Sequence, residues 1–361
     1  MLIDPSLFTP DGVYLNTPTY GLPSRAVVSA MTDGIDRWRR GVATMDEYDQ
    51  AVDSSRRLAA AVFDVPADRV AAANQVSVFV GMIATSLPAG GRVLIPEDEF
   101  TSLLFPFLVR RQVEVVEVPH DRLAESVDTS IDLVAFSLVR SADGLVADAE
   151  SIRAAARGVG ATLVVDATQA AGWLPFDPDD FDFTVASTYK WLLCPRGTAF
   201  MVVGPDAPVI DPIFAGWYAG EEVWQSIYGS PLRLAGSARR YDVSPAWLSW
   251  VGTEPALKLI AELGVEAIHR HDVALAELVR RELEIAPNGS AMVTIPLADT
   301  SRLARHGIEA AVREGSVRVG FHVYNTEDDV DRLLEVVRNR SGYQGSLASG
   351  NGDRAPSAPR R

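Results

Sequence analysis

Asp166 and Lys190 each stand where a short apolar run gives out. Asp166 closes the run at 162–165, and Lys190 follows the run at 183–186 across Ser187, Thr188 and Tyr189. A third run occupies 198–203. Short apolar runs bounded by turn residues read as buried parallel strands, and the C-terminal ends of such strands carry chemistry in open α/β sheets. A carboxylate and an amine delivered to the mouth of one sheet are the pair that pyridoxal 5'-phosphate requires. The amine forms a Schiff base, and the acid holds the pyridine nitrogen protonated. A pyridinium would keep Asp166 ionised and make the ring a sink for charge at a substrate's α-carbon. Lys190, once displaced, would serve as base toward the α-proton. The plain alternative for Lys190 is a solvated loop lysine, but its place after Ser-Thr-Tyr at an apolar strand end predicts partial burial.

The remaining elements must bring that pair together. A short apolar strand ends at Ala73, and a helical run extends over 77–87. A polar turn feeding a helix start leaves backbone N–H groups open to an anion. Gln75, Val76 and Ser77 therefore read as one side of a phosphate cup, Val76 through its backbone and Ser77 also through its hydroxyl. Ser77 as a helix N-cap is the alternative, and the two roles are compatible. Further strands are expected at 92–96, 113–118 and 132–139, with helices at 25–40, 46–63 and 147–157. From 253 a long helical pattern crosses into a smaller layer built from strands at 293–296 and 317–321 and a helix at 301–313. Ser137, Arg140 and Ser141 lie where a strand empties into the crevice. Arg140 either binds a substrate carboxylate or pairs with Asp143, and the pairing is the better default.

Composition narrows the class. With 361 residues, 47% of them hydrophobic and 22% charged, the chain is an ordinary globular one, long enough for two domains. Its 33 basic against 48 acidic residues leave a net charge of −15, which argues against a nucleic-acid or anionic-membrane binder. The single Cys194 excludes an intramolecular disulfide and reads as structural. No leader or long apolar segment is evident, so a cytoplasmic location is expected. His269 and His271 are two apart on a helix, hence on different faces. They read as surface residues, and no metal site is expected.

The D-x-x-Q of Asp166 and Gln169, followed by the S-x-x-K of Ser187 and Lys190, resembles the class V aminotransferase family, which includes cysteine desulfurases, kynureninases and C–S lyases. The resemblance runs from about 14 to about 337. It implies a fold-type I pyridoxal-phosphate enzyme: an entry segment (1–20), a large mostly parallel α/β domain (21–245) and a smaller α+β domain (246–340); the tail (341–361), rich in Gly, Ser, Pro and Arg without periodicity, is expected to be disordered. It also implies that Gln169 donates to the ring's phenolic oxygen and that Ser187 and Tyr189 reach the phosphate. Ser77 matches the N-x-x-T of kynureninase-like members. Phe100 would stack on the ring where cysteine desulfurases place a histidine, with Thr101 and Ser102 close behind. Without the resemblance, Phe100 would read as core.

Substrate contacts follow in the same way. Asn16, Thr17 and Tyr20 match a loop that lines the entrance, though for Tyr20 a plain connection is an equal reading. Trp217, after Gly216, matches a G-W that reaches the phosphate of a neighbouring subunit, so a homodimer is expected. Ser244 falls in a region resembling R-[FY]-x-x-[SG]-x-P. Arg318, with Tyr324, Asn325 and Thr326 behind it, resembles a signature whose arginine grips an α-carboxylate, which implies an α-amino acid substrate. No cysteine lies at 297–316, where desulfurases carry their nucleophile. The expected reaction is therefore β-elimination from a cysteine S-conjugate. An aminotransferase or an epimerase of the isopenicillin N type is the alternative, and a non-catalytic partner protein of the same fold is a further one.

Overall fold

The computed structural model describes residues 2–338 apart from 298 and 314. The segment 341–361, expected to be disordered, lies outside the described residues. Strand β1 (Val13–Tyr14) belongs to a peripheral pair, and the main sheet takes the next seven strands. These are β2 (Val70–Ala73), β3 (Arg92–Pro96), β4 (Glu114–Val118), β5 (Leu133–Ser137), β6 (Thr162–Asp166), β7 (Phe183–Ser187) and β8 (Ala199–Val203). Their order is β2-β8-β7-β6-β5-β3-β4.

The run at 198–203 departs from expectation. Strand β8 is antiparallel to both β7 and β2, whereas β4, β3, β5, β6 and β7 pair in parallel. The loop between β7 and β8 is too short for a helical crossover, so the chain returns in the opposite direction. The other strands consequently end on one common edge. Ala73, Pro96, Ser137, Asp166 and Ser187 lie along it.

Alternation along each strand explains why the runs are apolar throughout. Leu163, Val165, Val134 and Phe136 face one core with helices α2 (Met45–Phe63), α5 (Ala149–Val159) and α6 (Trp247–Leu263). Val164, Leu133 and Ala135 face a second core with α3 (Val76–Ser86) and α4 (Thr101–Leu108). Both faces are covered, so neither tolerates polar residues. Helix α1 (Arg25–Arg39) packs on α6. Local signals set the helix ends: Thr44 and Glu47 form a capping box at α2, and Gly160 closes α5 in the left-handed conformation.

The smaller layer differs from expectation in two places. The pattern from 253 is two helices, α6 and α7 (Val265–Glu282), broken at Gly264, whose φ is +79°. The helix expected over 301–313 stops early as α8 (Ser301–Arg305). Gly307, at φ +70°, turns the chain into β10 (Ile308–Glu309) and β11 (Ala311–Arg313). Strands β9 (Met292–Ile295), β11 and β12 (Ser316–Gly320) form an antiparallel sheet in the order β11-β12-β9. Helices α7 and α9 (Glu327–Arg338) cover it.

Strand β1 pairs in parallel with β10, so the entry segment is seated in this layer. It then crosses to the main sheet, where the Gly21 N–H donates to the Tyr189 carbonyl at 2.9 Å. A Cβ at Gly21 would come within 2.1 Å of the Lys190 carbonyl oxygen, so the close crossing requires glycine. No helix among the described residues is long and apolar enough to cross a membrane.

Candidate active site

The sheet edge collects the expected groups. Strands β6 and β7 are neighbours, which brings Asp166 beside the loop that carries Lys190. Lys190 is 5% exposed, and its amine makes no hydrogen bond or ion pair with any described residue. Its Nζ lies 5.3 Å from the centre of the Phe100 ring and 5.9 Å from that of Tyr189. Burial pulls its pKa down to about 7; Asp166 opposes this, while Arg318, Arg313 and Arg196 add to it. Asp166 is also buried, and its Oδ1 accepts from the Thr168 N–H at 2.8 Å. Burial pushes its pKa up to about 6 against the pull of Thr168, with Glu99 adding repulsion and Lys190 attraction.

Glu99 escaped sequence reasoning. It is buried at the end of β3, where its Oε1 accepts from the Ser137 hydroxyl and the Phe100 N–H, each at 2.6 Å. Its Oε2 accepts from the Ser137 N–H at 2.8 Å. Those bonds fix the turn that presents Phe100, and Ser137 is the register partner of Asp166. An acid just past an apolar strand, the signal used for Asp166, was present here too.

The helix start at α3 is open. Gln75 is the N-cap residue and makes no side-chain cap bond, so Ser77, two positions further in, is not the cap. The first-turn N–H groups of Val76 and Ser77 face the same sheet edge without a capping side chain. Ser187 donates its N–H to Thr168 Oγ1 at 3.0 Å. Tyr189 carries the Arg196 guanidinium 4.9 Å above its ring. Ser244 is exposed and close to Gly216, and the adjoining Val243 N–H bonds to the Ala72 carbonyl at 3.1 Å, near the end of β2.

Gln169 is already engaged. Its Nε2 donates to the Pro18 carbonyl at 2.9 Å and to Ser141 Oγ at 3.1 Å, and its Oε1 accepts from Trp191 Nε1 at 2.8 Å. Arg318 is buried, donating through Nη1 to the Ser141 carbonyl and through Nη2 to Thr19 Oγ1 at 2.9 Å. Its Nε is buried without a partner. Burial and the nearby Arg313 lower its pKa to about 10. Tyr20 stands at the mouth, 43% exposed, with its ring 5.9 Å from that of Tyr189.

Other candidates lie elsewhere. Thr17 is fully buried and bonds to the Tyr324 hydroxyl, a packing role at the crossing of the entry segment. Asn16 donates to Glu309 at 3.2 Å. Trp217 packs its ring 5.3 Å from both Tyr218 and Trp224, and Tyr218 in turn bonds to Asp49 of α2. Arg140 pairs with Asp143. His269 stacks on Trp173 and His271 bonds to the Asn325 carbonyl, so both are half-buried packing residues, because α7 packs against Trp173 and the 322–325 turn as well as facing solvent. The described residues hold no cluster suited to a metal ion.

Residues 38–304 match the aminotransferase class-V family. The chain belongs to that family. It is 28% identical over 324 residues to an isopenicillin N epimerase of Streptomyces clavuligerus, a match covering 76% of this chain and 80% of the other. A probable cysteine desulfurase of Pyrococcus abyssi is 23% identical over 381 residues, covering 91% and 94%. Among solved structures, a cystine C–S lyase in complex with its product cysteine persulfide superposes with a TM-score of 0.80 at 19% identity, covering 90% and 97%. At that identity the likeness shows the fold alone, the fold-type I architecture. The protein is thus a class V enzyme whose cofactor is pyridoxal 5'-phosphate. Its own residues fit that cofactor. They offer a buried amine without a partner, a buried carboxylate on the neighbouring strand, an uncapped helix start and an aromatic ring over the amine.

Proposed function

We propose that the protein holds pyridoxal 5'-phosphate between Phe100 and Asp166 and uses Lys190 to remove the α-proton of an α-amino acid, leading to β-elimination from an S-substituted cysteine. The unpartnered amine of Lys190 carries this reading. The Lys190 side chain is buried while its amine meets no protein partner, which leaves the amine open to another group, and a pKa near neutrality suits a proton carrier. When bound, the cofactor supplies the electron sink for the charge left on the α-carbon.

The chain's residues divide the remaining work. Asp166 holds the pyridine nitrogen, Phe100 covers one face of the ring, and Gln169, braced by Trp191, borders its edge. Val76, Ser77, Ser187 and Tyr189 surround the phosphate. Arg318 grips the α-carboxylate through its free Nε, and Tyr20 closes the mouth. Asn16, engaged with Glu309, supports the entrance loop from behind.

Elimination is favoured because the site offers one amine base and, among the described residues, no second free base. Glu99 is committed to Ser137 and Phe100, and His322 is buried between Asp272 and the Trp191 carbonyl. Persulfide chemistry is disfavoured, since the only cysteine, Cys194, is buried with its pKa pushed up to about 12 by desolvation. Epimerisation is the second reading, favoured by the 28% identity to an isopenicillin N epimerase. A homodimer is favoured by the exposed apolar residues Phe105, Val109, Ile213 and Phe214 near Ser77. Trp217 and Ser244 would then serve the partner's phosphate, and sedimentation at micromolar concentration tests the assembly.

Borohydride reduction and peptide mapping should fix the cofactor on Lys190, and a protein that takes up none sinks the proposal. Incubation with S-substituted cysteines should release pyruvate, ammonia and a thiol in equal amounts. An α-keto acid formed only with an acceptor keto acid would mean transamination. Solvent deuterium entering the α-position with inversion would mean epimerisation.

A further inference from the structure

We infer that the substrate carries a second carboxylate and that Arg313 reads it. This deepens the reading above, in which Arg318 holds the α-carboxylate. In the β11–β12 pairing, Ala311 lies opposite Arg318 and Arg313 opposite Ser316. Residues two apart on a strand share a face with their cross-strand partners, so Arg313 and Arg318 are diagonal neighbours on one side of the sheet. Their side chains converge on a single neutral acceptor. Thr19 Oγ1 accepts from Arg318 Nη2 at 2.9 Å and from Arg313 Nη2 at 3.5 Å.

No acid among the described residues lies between them. The other hydrogen bond of Arg313 is to the Val312 carbonyl at 2.9 Å, and no ion pair with a described residue involves it. Two guanidinium groups on one hydroxyl repel each other unless an anion joins them. This happens in a chain with 48 acidic residues against 33 basic ones, where many arginines are matched by an acid. Arg37, Arg56, Arg69, Arg140 and Arg153 all are. Arg313 also faces Lys190 closely enough to lower its affinity for a proton.

Depth assigns the two carboxylates. Arg318 is buried with a free Nε, whereas Arg313 is exposed at the rim beside the Thr19–Tyr20 turn. An α-carboxylate therefore seats inward, and a carboxylate at the end of the side chain seats at the mouth. The substrate class is an α-amino acid with an acidic side chain, and for elimination a cysteine whose sulfur bears a carboxyalkyl group.

The test is calorimetric titration of the full chain with succinate and with butyrate, run with and without pyridoxal 5'-phosphate. Neither ligand has an amine, so binding is read apart from turnover. Succinate should bind at least about tenfold more tightly, the ratio a charge-assisted hydrogen bond supplies. Arg313→Met should bring the two affinities together, Arg313→Lys should leave an intermediate ratio, and Arg318→Met should weaken both ligands. Equal affinities in the unaltered protein, or a ratio that survives Arg313→Met, would overturn the inference. Failure to take up cofactor would instead sink the functional reading, and it is scored in its own arm.

Discussion

Two of the buried acid–base pairs in this chain are built in opposite ways. Arg56 of α2 meets Asp242 through Nη2–Oδ2 at 2.6 Å and Nη1–Oδ1 at 3.2 Å. Nη1 also donates to the Val70 carbonyl, and Asp242 accepts from the Ala72 N–H. Only Nε of Arg56 lacks a partner. Asp166 and Lys190 are as deeply buried, yet the amine has no partner and Thr168 alone hydrogen-bonds the carboxylate. The first pair spends its charges on fastening α2 and the 242 turn to β2. The second keeps them available. Burial alone does not separate structure from function here; the count of satisfied bonds does.

Removing one partner from each pair should break the likeness. Lys190→Ala should lower turnover on the order of 10³-fold, as loss of a positioned base does, while leaving the cofactor-free protein at least as stable as before. Arg56→Ala should cost about 3–5 kcal/mol in urea unfolding, because it strands a buried carboxylate. A Lys190→Ala protein that unfolds more readily than Arg56→Ala would reverse the assignment of roles.

The chemistry of the site was legible in single residues, and its wiring was not. Asp166, Lys190 and Ser187 could be placed because a strand end and a residue type are both local facts. Arg318 rested instead on the resemblance of 317–319 and 324–326 to a family signature, since it lies inside β12 and not at a strand end. Arg313 was hidden in a stretch with helical spacing, and only the turn at Gly307 and pairing with β12 put it beside Arg318. Thr19 joins the site through a contact with a residue far along the chain, and Ser141, expected at the crevice, acquires its bonds to Arg318 and Gln169 in the same way; no local pattern encodes either contact. Thr17 misled because a loop of uniform appearance sends one threonine into the core and another, two residues on, to the arginines. The reversed β8 has the same origin: an apolar run states burial, while its direction depends on the loop before it.

Asp166→Asn should show a smaller effect, visible as a pH dependence. Burial raises the folded pKa of Asp166 to about 6 from 3.8. The folded state therefore holds a proton that the unfolded chain releases between those values, and stability falls as pH rises through this window. Above about pH 6 the deficit is complete. The cofactor-free Asn variant, which still accepts the Thr168 N–H, should then be more stable than the parent by about 3 kcal/mol at pH 8. Near pH 3.5 the two should coincide. Lys190 works in the other direction, its folded pKa of about 7 costing stability below neutrality and releasing it as pH rises toward 10.5. A gap between parent and variant that is constant from pH 3.5 to 8 would mean that Asp166 is not a strained carboxylate.

The smallest expected effect concerns Cys194, a second nucleophile on the same loop as Lys190. Desolvation penalises the charged form of each group, so one cause drives them apart. It pushes the thiol up to about 12 and pulls the amine down to about 7. The thiol is also occupied, its Sγ donating to the Leu192 carbonyl at 3.2 Å. At pH 8, iodoacetamide should leave Cys194 unmodified in the folded protein and modify it fully in urea. Under the same folded conditions pyridoxal 5'-phosphate with borohydride should label Lys190. Cys194→Ser should keep turnover within about twofold, since a buried, hydrogen-bonded thiol contributes packing and no chemistry. Rapid alkylation of the folded protein, or loss of turnover in the serine variant, would return the thiol to the mechanism and reopen sulfur transfer.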